Sequence, residues 1–297
     1  MVRIGPNEER LIQDVTDNIS NILNSVGLFY RIFYRLKSPK SIEKKLTNKR
    51  ELYIVENKKL QDVLGIRITV YFSDDENIAI DLVKKIFIEI PEAHSIDKVD
   101  GERFGPIRCN LVFRIPDTLT LSSSLFTHEL IDNTFEVQFR TIFSEGWHEI
   151  EHDLRYKCKQ DWEKENVLSR QLNGQLATLE SCDWTMLRIF EELSYKKYKS
   201  EEWTSFFRNI MRIRFADDNL SQPVVDVFNK NKGIGKELLK KDRNELIAPI
   251  VKLTTQIPLL MDNVLFALNR SFLKNEDLIK LEPRLMKEIL DASFNTE

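Results

Sequence analysis

Two segments of this chain alternate strictly between apolar and polar residues, and this pattern constrains the fold more than any other feature. Residues 63–72 read VLGIRITVYF, and residues 134–141 read TFEVQFRT. Because successive side chains of a β-strand point to opposite faces, each segment predicts a strand with one buried face and one polar face. The polar faces carry Gly65, Arg67, Thr69 and Tyr71 on the first strand, and Glu136, Gln138 and Arg140 on the second. A third strand is predicted at residues 108–115, so we expect a sheet with charged groups on one side.

Helices are predicted on either side of these strands. Apolar spacing and capping residues predict helices at residues 7–36, 38–46 (capped by Ser38 or Ser41), 77–90 and 143–158, and from about residue 165 onward a series of helices broken at residues 221–225 and 229–236. Strands grouped with helices and followed by a long helical tail predict an α/β (α+β) fold. We expect a mixed sheet flanked by helices over residues 1–195 and an all-helical extension over residues 196–297.

Composition limits the class of protein. With 297 residues, 42% of them apolar, the chain predicts a globular protein. It has no apolar run of the roughly 18–20 residues that span a bilayer and no apolar leader segment, so no membrane partner is expected. Three scattered cysteines (Cys109, Cys158 and Cys182) form no C-x-x-C pair, which is typical of a reducing cytoplasm.

Local charge departs from the overall balance. The net charge is −3, yet residues 31–50 carry many Lys and Arg residues against a single Glu. Such a run forms either a solvated face or a phosphate-binding patch.

Residues 148–152, HEIEH, match the H-E-x-x-H pattern of zinc metalloproteases. On a helix, His148 and His152 share one face, while Trp147, Ile150 and Leu154 form a second stripe that we expect to face the core. A zinc site needs a third protein ligand, but no histidine follows His152 and nothing singles out a distant carboxylate such as Glu180. Zinc hydrolysis is therefore disfavoured.

Three blocks of sequence account for this region better. They are RLKSPKSIEKKL at residues 35–46, DVLGIRI at residues 62–68, and FEVQFRTIFSEGWHEIEHDLRYK at residues 135–157. In this order and spacing they resemble the synthetase domain of the RelA/SpoT family, which includes small alarmone synthetases. In that pattern His148 is incidental. The resemblance implies a nucleotidyltransferase-like sheet and transfer of pyrophosphate from ATP to the 3′-hydroxyl of a guanine nucleotide.

The resemblance also implies roles for individual residues. Mg²⁺ would be held by Asp62 and Glu136, and Glu136 would also activate the hydroxyl. The adenine of ATP would lie between Arg35 and Arg67, with its phosphates on Lys37 and Lys45. Gln138 and Arg140 are predicted to join the catalytic group, and Ser41 and His152 the ATP-binding group. These residue types suit the reaction, because pyrophosphoryl transfer needs cations around the triphosphate and carboxylates for the metal.

One geometric difficulty accompanies these roles. In a straight strand, Asp62 and Arg67 point to opposite faces. Either the strand bends near Gly65 or Asp62 lies just before the strand.

The segment ERFGPIRCNLVF, residues 102–113, departs from the family's acceptor loop. Phe104 and Gly105 match the family pattern. Pro106 stands where the family has a base-stacking Tyr, Arg108 replaces a Ser, and Asn110 replaces a His. Proline has no aromatic face, so a stacking contribution of roughly 1–3 kcal/mol is absent there.

Three hypotheses follow from an intact donor half and an altered acceptor half. The chain is a pyrophosphokinase with another acceptor, such as an adenine nucleotide or the 3′ end of tRNA, as in toxin-like relatives. Alternatively, it makes the usual guanosine alarmone with Phe104 or Tyr71 replacing the missing aromatic ring. In the third hypothesis it has lost transfer and remains a nucleotide-binding regulator or scaffold. The retained Asp62 and Glu136 argue against the third.

Residues 200–297 contain no motif that we can assign. Their apolar helices predict a bundle, or a module that binds a protein partner. Self-association into a homo-oligomer is implied only by the resemblance.

Overall fold

The computed structural model describes residues 4–48, 59–96, 109–120, 123, 125–217, 219–253 and 257–294. The chain divides into two compact units, each assembled from three segments. The first contains Met1–Asn21, Tyr30–Tyr71 and Ala79–Asp183, and the second contains Ile22–Phe29, Phe72–Ile78 and Trp184–Glu297. The predicted domain boundary at residue 195 stays a prediction.

The first unit is built on a five-stranded mixed sheet in the order β1-β2-β5-β4-β3. The strands are β1 (Tyr30–Leu36), β2 (Leu64–Val70), β3 (Ser95–Ile96), β4 (Cys109–Arg114) and β5 (Thr134–Thr141). The β2–β5 pair is parallel, and the other pairs are antiparallel. The three predicted strands are therefore present, and the predicted fold class is confirmed.

The first unit contains helices beside the sheet, and the second unit is helical. The helices are α1 (Pro6–Ser25), α2 (Pro39–Asn48), α3 (Asp75–Ile86), α4 (Asp117–Thr120), α5 (Ile142–Ile150), α6 (Lys159–Trp162), α7 (Asn166–Lys199), α8 (Trp203–Met211), α9 (Gln222–Lys230), α10 (Gly233–Leu239), α11 (Arg243–Val251), α12 (Met261–Leu268), α13 (Glu276–Leu281) and α14 (Arg284–Phe294). Two π-helical turns, Glu151–Tyr156 and Asn269–Leu273, continue α5 and α12. Among the described residues, no helix is both long enough and apolar enough to cross a bilayer.

The helix predicted at residues 7–36 is wrong in its second half. Helix α1 ends at Ser25 because Gly27 adopts a left-handed φ of 71°, and its N–H donates to the carbonyl of Asn24 at 2.9 Å. A Cβ on Gly27 would lie 2.8 Å from the carbonyl oxygen of Arg214, so the position requires glycine. The aromatic and β-branched residues that follow form strand β1 instead, and the helix predicted at residues 38–46 runs from Pro39 to Asn48.

The helix predicted at residues 143–158 also differs. Helix α5 ends at Ile150 and continues as a π-helical turn to Tyr156. Of the predicted core stripe only Trp147 is buried, whereas Ile150 and Leu154 are exposed. The wider turn changes the angle between successive residues beyond Ile150, so Leu154 is no longer in line with Trp147.

Two smaller boundaries change as well. The predicted helix at residues 77–90 begins at Asp75 and ends at Ile86, before Pro91. The predicted break at residues 221–225 is the start of α9, because Pro223 lies in the first helical turn, where its missing N–H costs nothing. Of the break predicted at residues 229–236, only the two residues between Lys230 and Gly233 are non-helical.

The core of the first unit lies on the apolar face of the sheet. The fully buried aromatic residues on this face are Phe113, Phe135 and Phe139. The opposite face carries the polar residues of β2 and β5, which are only partly buried at Arg67, Glu136 and Gln138. The sheet therefore leaves one face available for chemistry.

Candidate functional site

Two rows of directly opposed residues cross the polar face of the sheet. From β1 to β3, the first row contains Phe33, Arg67, Gln138, Asn110 and Ser95. The second row contains Arg35, Gly65, Glu136 and Val112. Opposed residues in neighbouring strands point to the same face. Four predicted site residues, Arg35, Arg67, Glu136 and Gln138, therefore share one surface.

A carboxylate with two ammonium groups lies where β1 and β2 end side by side. Oδ2 of Asp62 accepts hydrogen bonds from Nζ of Lys37 at 2.7 Å and from Nζ of Lys45 at 2.5 Å. Asp62 lies two residues before β2, so the alternation of the strand does not apply to it. This resolves the geometric difficulty, and no bend at Gly65 is needed. Backbone pairing fixes the cluster, because the N–H of Lys37 donates to the carbonyl of Val63 at 2.9 Å.

The cluster shifts the protonation equilibria of its members. Burial raises the pKa of Asp62, but the hydrogen bonds and charges of Lys37 and Lys45 outweigh burial and hold that pKa below its usual value. Burial lowers the pKa of Lys37, and Asp62 only partly restores it. Glu136 also raises the pKa of Lys37, which means that this carboxylate acts on the cluster from the neighbouring row.

A hydrogen-bonded chain crosses from β5 through β2 to helix α5. The amide Nε2 of Gln138 donates to Oε1 of Glu136 at 3.0 Å, and Nε of Arg67 donates to Oε1 of Gln138 at 3.2 Å. Nη1 of Arg67 pairs with Glu145 at 2.7 Å and with Glu149 at 2.5 Å. Glu136 is thus oriented by Gln138, and the guanidinium of Arg67 is held by three acceptors.

Arg35 and Ser41 occupy the basic side of this surface. Arg35 is exposed on the edge strand β1, opposite Gly65. Ser41 lies in the first turn of α2, where its N–H donates to the hydroxyl of Ser38 at 3.3 Å. Ser38 therefore caps the helix that carries Lys45, as one of the two predicted capping residues. The hydroxyl of Ser41 bonds Ser38 at 2.9 Å and is exposed toward solvent.

Helix α5 is anchored at its N-cap residue, Thr141. The hydroxyl of Thr141 accepts from the N–H of Ser144 at 3.2 Å in a capping box, and it also donates to Oδ2 of Asp183 at 2.7 Å. Burial raises the pKa of Asp183, although the bond from Thr141 opposes this effect. One turn further, Nε1 of Trp147 donates to the carbonyl of Leu172 at 2.7 Å. These contacts hold the helix that supplies Glu145 and Glu149 to Arg67.

The two histidines of the H-E-x-x-H match lie in different environments. His148 is partly buried near Arg140 and Arg67, which both act on its pKa. His152 lies in the π-helical turn, where Nδ1 contacts Oδ1 of Asp153 at 2.8 Å and the ring stacks on Tyr156 at 5.9 Å. In the described part of the chain, no group of three or more His, Cys, Asp or Glu side chains could hold a metal ion. His152 is thus brought to Tyr156 and not into contact with the Asp62 cluster.

We expect His148 to remain neutral across the physiological pH range. Burial lowers its pKa, and the positive charges of Arg140 and Arg67 lower it further, to about 3. NMR signals of the His148 imidazole should therefore keep their chemical shifts from about pH 8 to about pH 5. His148→Gln identifies these signals by their disappearance. A titration of the same signals near the ordinary histidine pKa contradicts this prediction.

Arg140 and Asn110 are the remaining predicted site residues that the structure describes. Arg140 lies opposite Thr69, one row beyond Gln138, and only 8% of its surface is exposed. Asn110 lies directly opposite Gln138 on the polar face, and its Oδ1 is buried without a hydrogen-bond partner among the described residues. The other predicted residues of the acceptor loop, Phe104, Gly105, Pro106 and Arg108, lie outside the described residues.

Asp62 and Glu136 are the predicted ligands of a magnesium ion. Oδ1 of Asp62 is buried and has no hydrogen-bond partner in the described part of the chain, because both lysines bind Oδ2. Glu136 uses Oε1 to accept from Gln138. Both carboxylates therefore present oxygen ligands of the kind that Mg²⁺ prefers.

Sequence reasoning missed three residues on this surface. Glu145 and Glu149 were not assigned, although both lie one turn apart on α5 and both contact Arg67. Their spacing of four residues was the available signal. Phe33 was assigned to a helix and so was not recognised as an aromatic residue on the polar face of the sheet.

Comparison with known proteins supports the resemblance found in the sequence. Residues 34–161 match the family model described as a region found in RelA / SpoT proteins. The predicted resemblance is thereby confirmed for this part of the chain. None of the curated proteins matches the chain significantly.

Several solved structures are similar to this chain. Small alarmone synthetase 1 from Bacillus subtilis shares 22% identity at a TM-score of 0.45, covering 61% of this chain and 88% of its own. The same enzyme bound to its product pppGpp has 20% identity and a TM-score of 0.48, covering 62% of this chain and 93% of its own. A GTP pyrophosphokinase family protein from Streptococcus pneumoniae has 19% identity and a TM-score of 0.43, covering 63% of this chain and 94% of its own.

Proposed function

Because residues 34–161 of this chain carry a RelA/SpoT region, we propose that it is an ATP-dependent pyrophosphokinase. The oxygen of a 3′-hydroxyl on a nucleotide or an RNA bonds to the β-phosphorus of ATP, the bond from that phosphorus to the α–β bridging oxygen breaks, and AMP leaves. The observation that carries the proposal is the pairing of Asp62 with Lys37 and Lys45 beside the row that contains Glu136. This combination brings phosphate-binding cations and two carboxylates to one surface.

The two lysines bind the triphosphate in this mechanism. In the free protein both ammonium groups pair with Oδ2 of Asp62, so they are already directed to one point. A triphosphate offers them more negative charge than a single carboxylate does, and charge-assisted hydrogen bonds to phosphate replace the carboxylate contact. Asp62 keeps the two like charges together before ATP arrives, which reduces the free energy needed to organise the site.

Glu136 acts on the acceptor hydroxyl. Gln138 holds Oε1 of Glu136, and the remaining carboxylate oxygen accepts the proton of the attacking hydroxyl. Mg²⁺ held by Asp62 and Glu136 would neutralise negative charge that develops on the transferred diphosphate. Arg67 orients Gln138 beside this path, and Glu145 and Glu149 fix its guanidinium.

The proposal includes more than one candidate for the acceptor of the diphosphate. Asn110 lies in the row of Gln138, where its unpaired Oδ1 is available to a donor group of the acceptor. With Pro106 in place of the family's Tyr, we favour an acceptor that needs no stacking there, either an adenine nucleotide or the 3′ end of tRNA. A guanine nucleotide is the next candidate. The reaction would take place in the reducing cytoplasm.

A second candidate is a nucleotide-binding regulator that no longer transfers pyrophosphate. One observation favours it: the guanidinium of Arg67 is occupied by Glu145 and Glu149 and must leave them to stack on adenine. The intact Asp62 cluster favours the enzyme instead.

The test is a transfer assay with Mg²⁺ and ATP labelled at the β and γ phosphates. The purified full chain is incubated separately with GDP, GTP, AMP, ADP, ATP and deacylated tRNA. We expect label to move to one class of acceptor and Glu136→Gln to lower the rate by about 10²-fold, because the variant keeps the hydrogen bond to Gln138 but lacks the base. Glu192→Gln, which alters an exposed pair with Lys196 on α7, serves as the control. Unlabelled acceptors together with ATP binding would favour the regulator.

A further inference from the structure

Asp183 is a buried carboxylate outside the candidate site, and it contacts the residue from which α5 begins. It lies on α7 with only 7% of its surface exposed, and its Oδ2 accepts from the hydroxyl of Thr141 at 2.7 Å. Its Oδ1 is also buried and has no hydrogen-bond partner in the described part of the chain. A buried oxygen without a partner costs stability, so this carboxylate calls for an explanation beyond packing.

Thr141 connects the strand that carries Glu136 directly to α5. It is the last residue of β5 and also the N-cap of α5, so no linker separates the strand from the helix. Its backbone lies opposite Val70 in the sheet, and its N–H donates to the hydroxyl of Ser144 at 3.3 Å. The direction in which α5 leaves the sheet is therefore set at one residue, and Asp183 holds the side chain of that residue.

The first turn of α5 carries Glu145, the residue after Ser144 in the capping box. Oε1 of Glu145 accepts from Nη1 of Arg67 at 2.7 Å. Its Oε2 is buried and, among the described residues, has no partner that could hold the side chain elsewhere. A displacement of the first turn therefore moves Glu145 relative to Arg67. The hydrogen bonds from Arg67 to Gln138 and from Gln138 to Glu136 carry the change onward to the proposed base.

The other anchors of α5 lie further along the chain. Nε1 of Trp147 donates to the carbonyl of Leu172 in the second turn, and Arg155 donates to Oδ1 of Asn173 at 2.8 Å in the π-helical turn. These contacts attach the later part of the segment to α7. The N-terminal turn of a helix depends on its cap, because its N–H groups have no partner within the helix.

We infer that Asp183 is a positioning residue for Glu136. It fixes the first turn of α5, and the hydrogen-bonded chain through Glu145, Arg67 and Gln138 sets the orientation of the carboxylate. All of these residues belong to the first unit. The inference rests on the proposed function, because it concerns the orientation of the proposed base.

The kinetic test uses the full chain with Mg²⁺, ATP and the acceptor that becomes labelled in the transfer assay. At saturating substrates, Asp183→Ala is expected to lower kcat by about 10- to 100-fold, because the base is displaced. Affinity for inorganic triphosphate, which binds Lys37 and Lys45, should stay within about 2-fold in calorimetry. Asp183→Asn keeps an acceptor oxygen for Thr141 and should restore most of the rate. Asp242→Ala is the matched control, since it removes the N-cap of α11 in the second unit and should leave kcat unchanged.

A double variant separates positioning from a general loss of structure. In the Glu136→Gln background, adding Asp183→Ala should change kcat by less than about 2-fold, because the base to be positioned is absent. The same fall in both backgrounds would overturn the inference. Wild-type kcat in folded Asp183→Ala, or an equal loss of triphosphate affinity, would overturn it as well.

A spectroscopic measurement tests the chain of contacts without any activity. The Nε–H of Arg67 and the side-chain amide of Gln138 give ¹⁵N NMR signals, identified by their loss in Arg67→Lys and Gln138→Glu. Both signals should shift in Asp183→Ala and return in Asp183→Asn, whereas Asp242→Ala should leave them in place. If the wild type labels no acceptor, the proposed function fails, and these signals alone decide the inference. Unchanged signals in Asp183→Ala contradict it whether or not the protein is active.

Discussion

Replacing Asp62 by Asn is expected to lower kcat/KM for pyrophosphate transfer by about 10³-fold or more, which corresponds to ~4 kcal/mol of lost transition-state stabilisation. Asp62 supplies a buried carboxylate oxygen suited to Mg²⁺ and at the same time holds Lys37 and Lys45 at one point. The asparagine has the same shape but carries no charge. It therefore weakens the metal site and leaves two ammonium groups in mutual repulsion.

The variant should also change the pH dependence of residual ATP binding. Burial already lowers the pKa of Lys37, and the hydrogen bond and charge of Asp62 oppose that decrease. Without the carboxylate the pKa of Lys37 falls further, so the ammonium form is lost at a lower pH than in the wild type. Residual affinity for α,β-methylene-ATP should therefore decline with rising pH earlier in Asp62→Asn than in the wild type.

The matched control is Asp277→Asn. Asp277 also pairs with a lysine, Lys280 at 2.8 Å, but it lies in the second unit and on the protein surface. Activity of this variant should equal that of the wild type. Circular dichroism at increasing temperature shows whether Asp62→Asn remains folded. A folded Asp62→Asn variant with wild-type activity would refute the role of Asp62.

The sequence predicted the sheet well because alternation over eight or more residues leaves few alternatives. The predicted strand at residues 134–141 coincides with β5, and the one at residues 108–115 differs from β4 by a single residue at each end. Both strands have one continuous buried face, which makes the period of two visible. The short β3 and the edge strand β1 lacked that signal. In β1, the residues Phe33, Tyr34 and Arg35 are all exposed, so the strand has no buried face that would require apolar and polar residues to alternate.

The helix predicted at residues 7–36 was too long because the helical spacing of apolar residues was given more importance than Gly27, which ends the helix. Gly27 ends α1 through its positive φ, and the following YRIFYRL is rich in aromatic and β-branched residues that favour strands. Assigning those residues to a helix had a consequence for the site. It concealed that Phe33 and Arg35 lie on the face of Arg67.

Part of the site could be predicted and part could not. The three sequence blocks identified Lys37, Lys45 and Asp62, which the structure brings into direct contact. The four-residue spacing of Glu145 and Glu149 indicates a shared helix face, but their pairing with Arg67 depends on how α5 lies beside β2. Long-range side-chain contacts of this kind are set by packing of the whole unit.

Within the second unit, Arg243→Met is expected to destabilise the helices by about 3–5 kcal/mol, the usual cost of removing one partner of a buried ion pair. Nε of Arg243 donates to Oδ1 of Asp75 at 2.8 Å, and both side chains are buried, with Asp75 fully inaccessible. Arg243 also donates to the carbonyls of Met211 and Arg212 at the end of α8. These carbonyls are among those that a helix leaves without internal partners.

The loss of stability caused by Arg243→Met should increase with pH. Burial raises the pKa of Asp75 despite the opposing charge and hydrogen bond of Arg243. A carboxyl group with a raised folded-state pKa holds its proton more tightly when folded, so its ionisation lowers stability as pH rises through the folded pKa. Without Arg243 the pKa of Asp75 rises further. Arg243→Met should therefore cost less near pH 5 than near pH 7.5.

Hydrogen exchange measured by mass spectrometry can test the predicted loss of stability in the second unit alone. Amides of Trp203–Met211 and Arg243–Val251 that exchange through opening of this unit should exchange roughly 150- to 5,000-fold faster in Arg243→Met, the equivalent of about 3–5 kcal/mol. Lys240→Met, which removes an exposed pair with Glu237, should leave these rates unchanged. Adding Asp75→Asn to Arg243→Met should recover part of the loss, because it removes the uncompensated charge. Identical exchange in Arg243→Met and Lys240→Met would mean that the buried pair contributes nothing. Recovery in the double variant would instead identify the unpaired carboxylate as the origin of the cost.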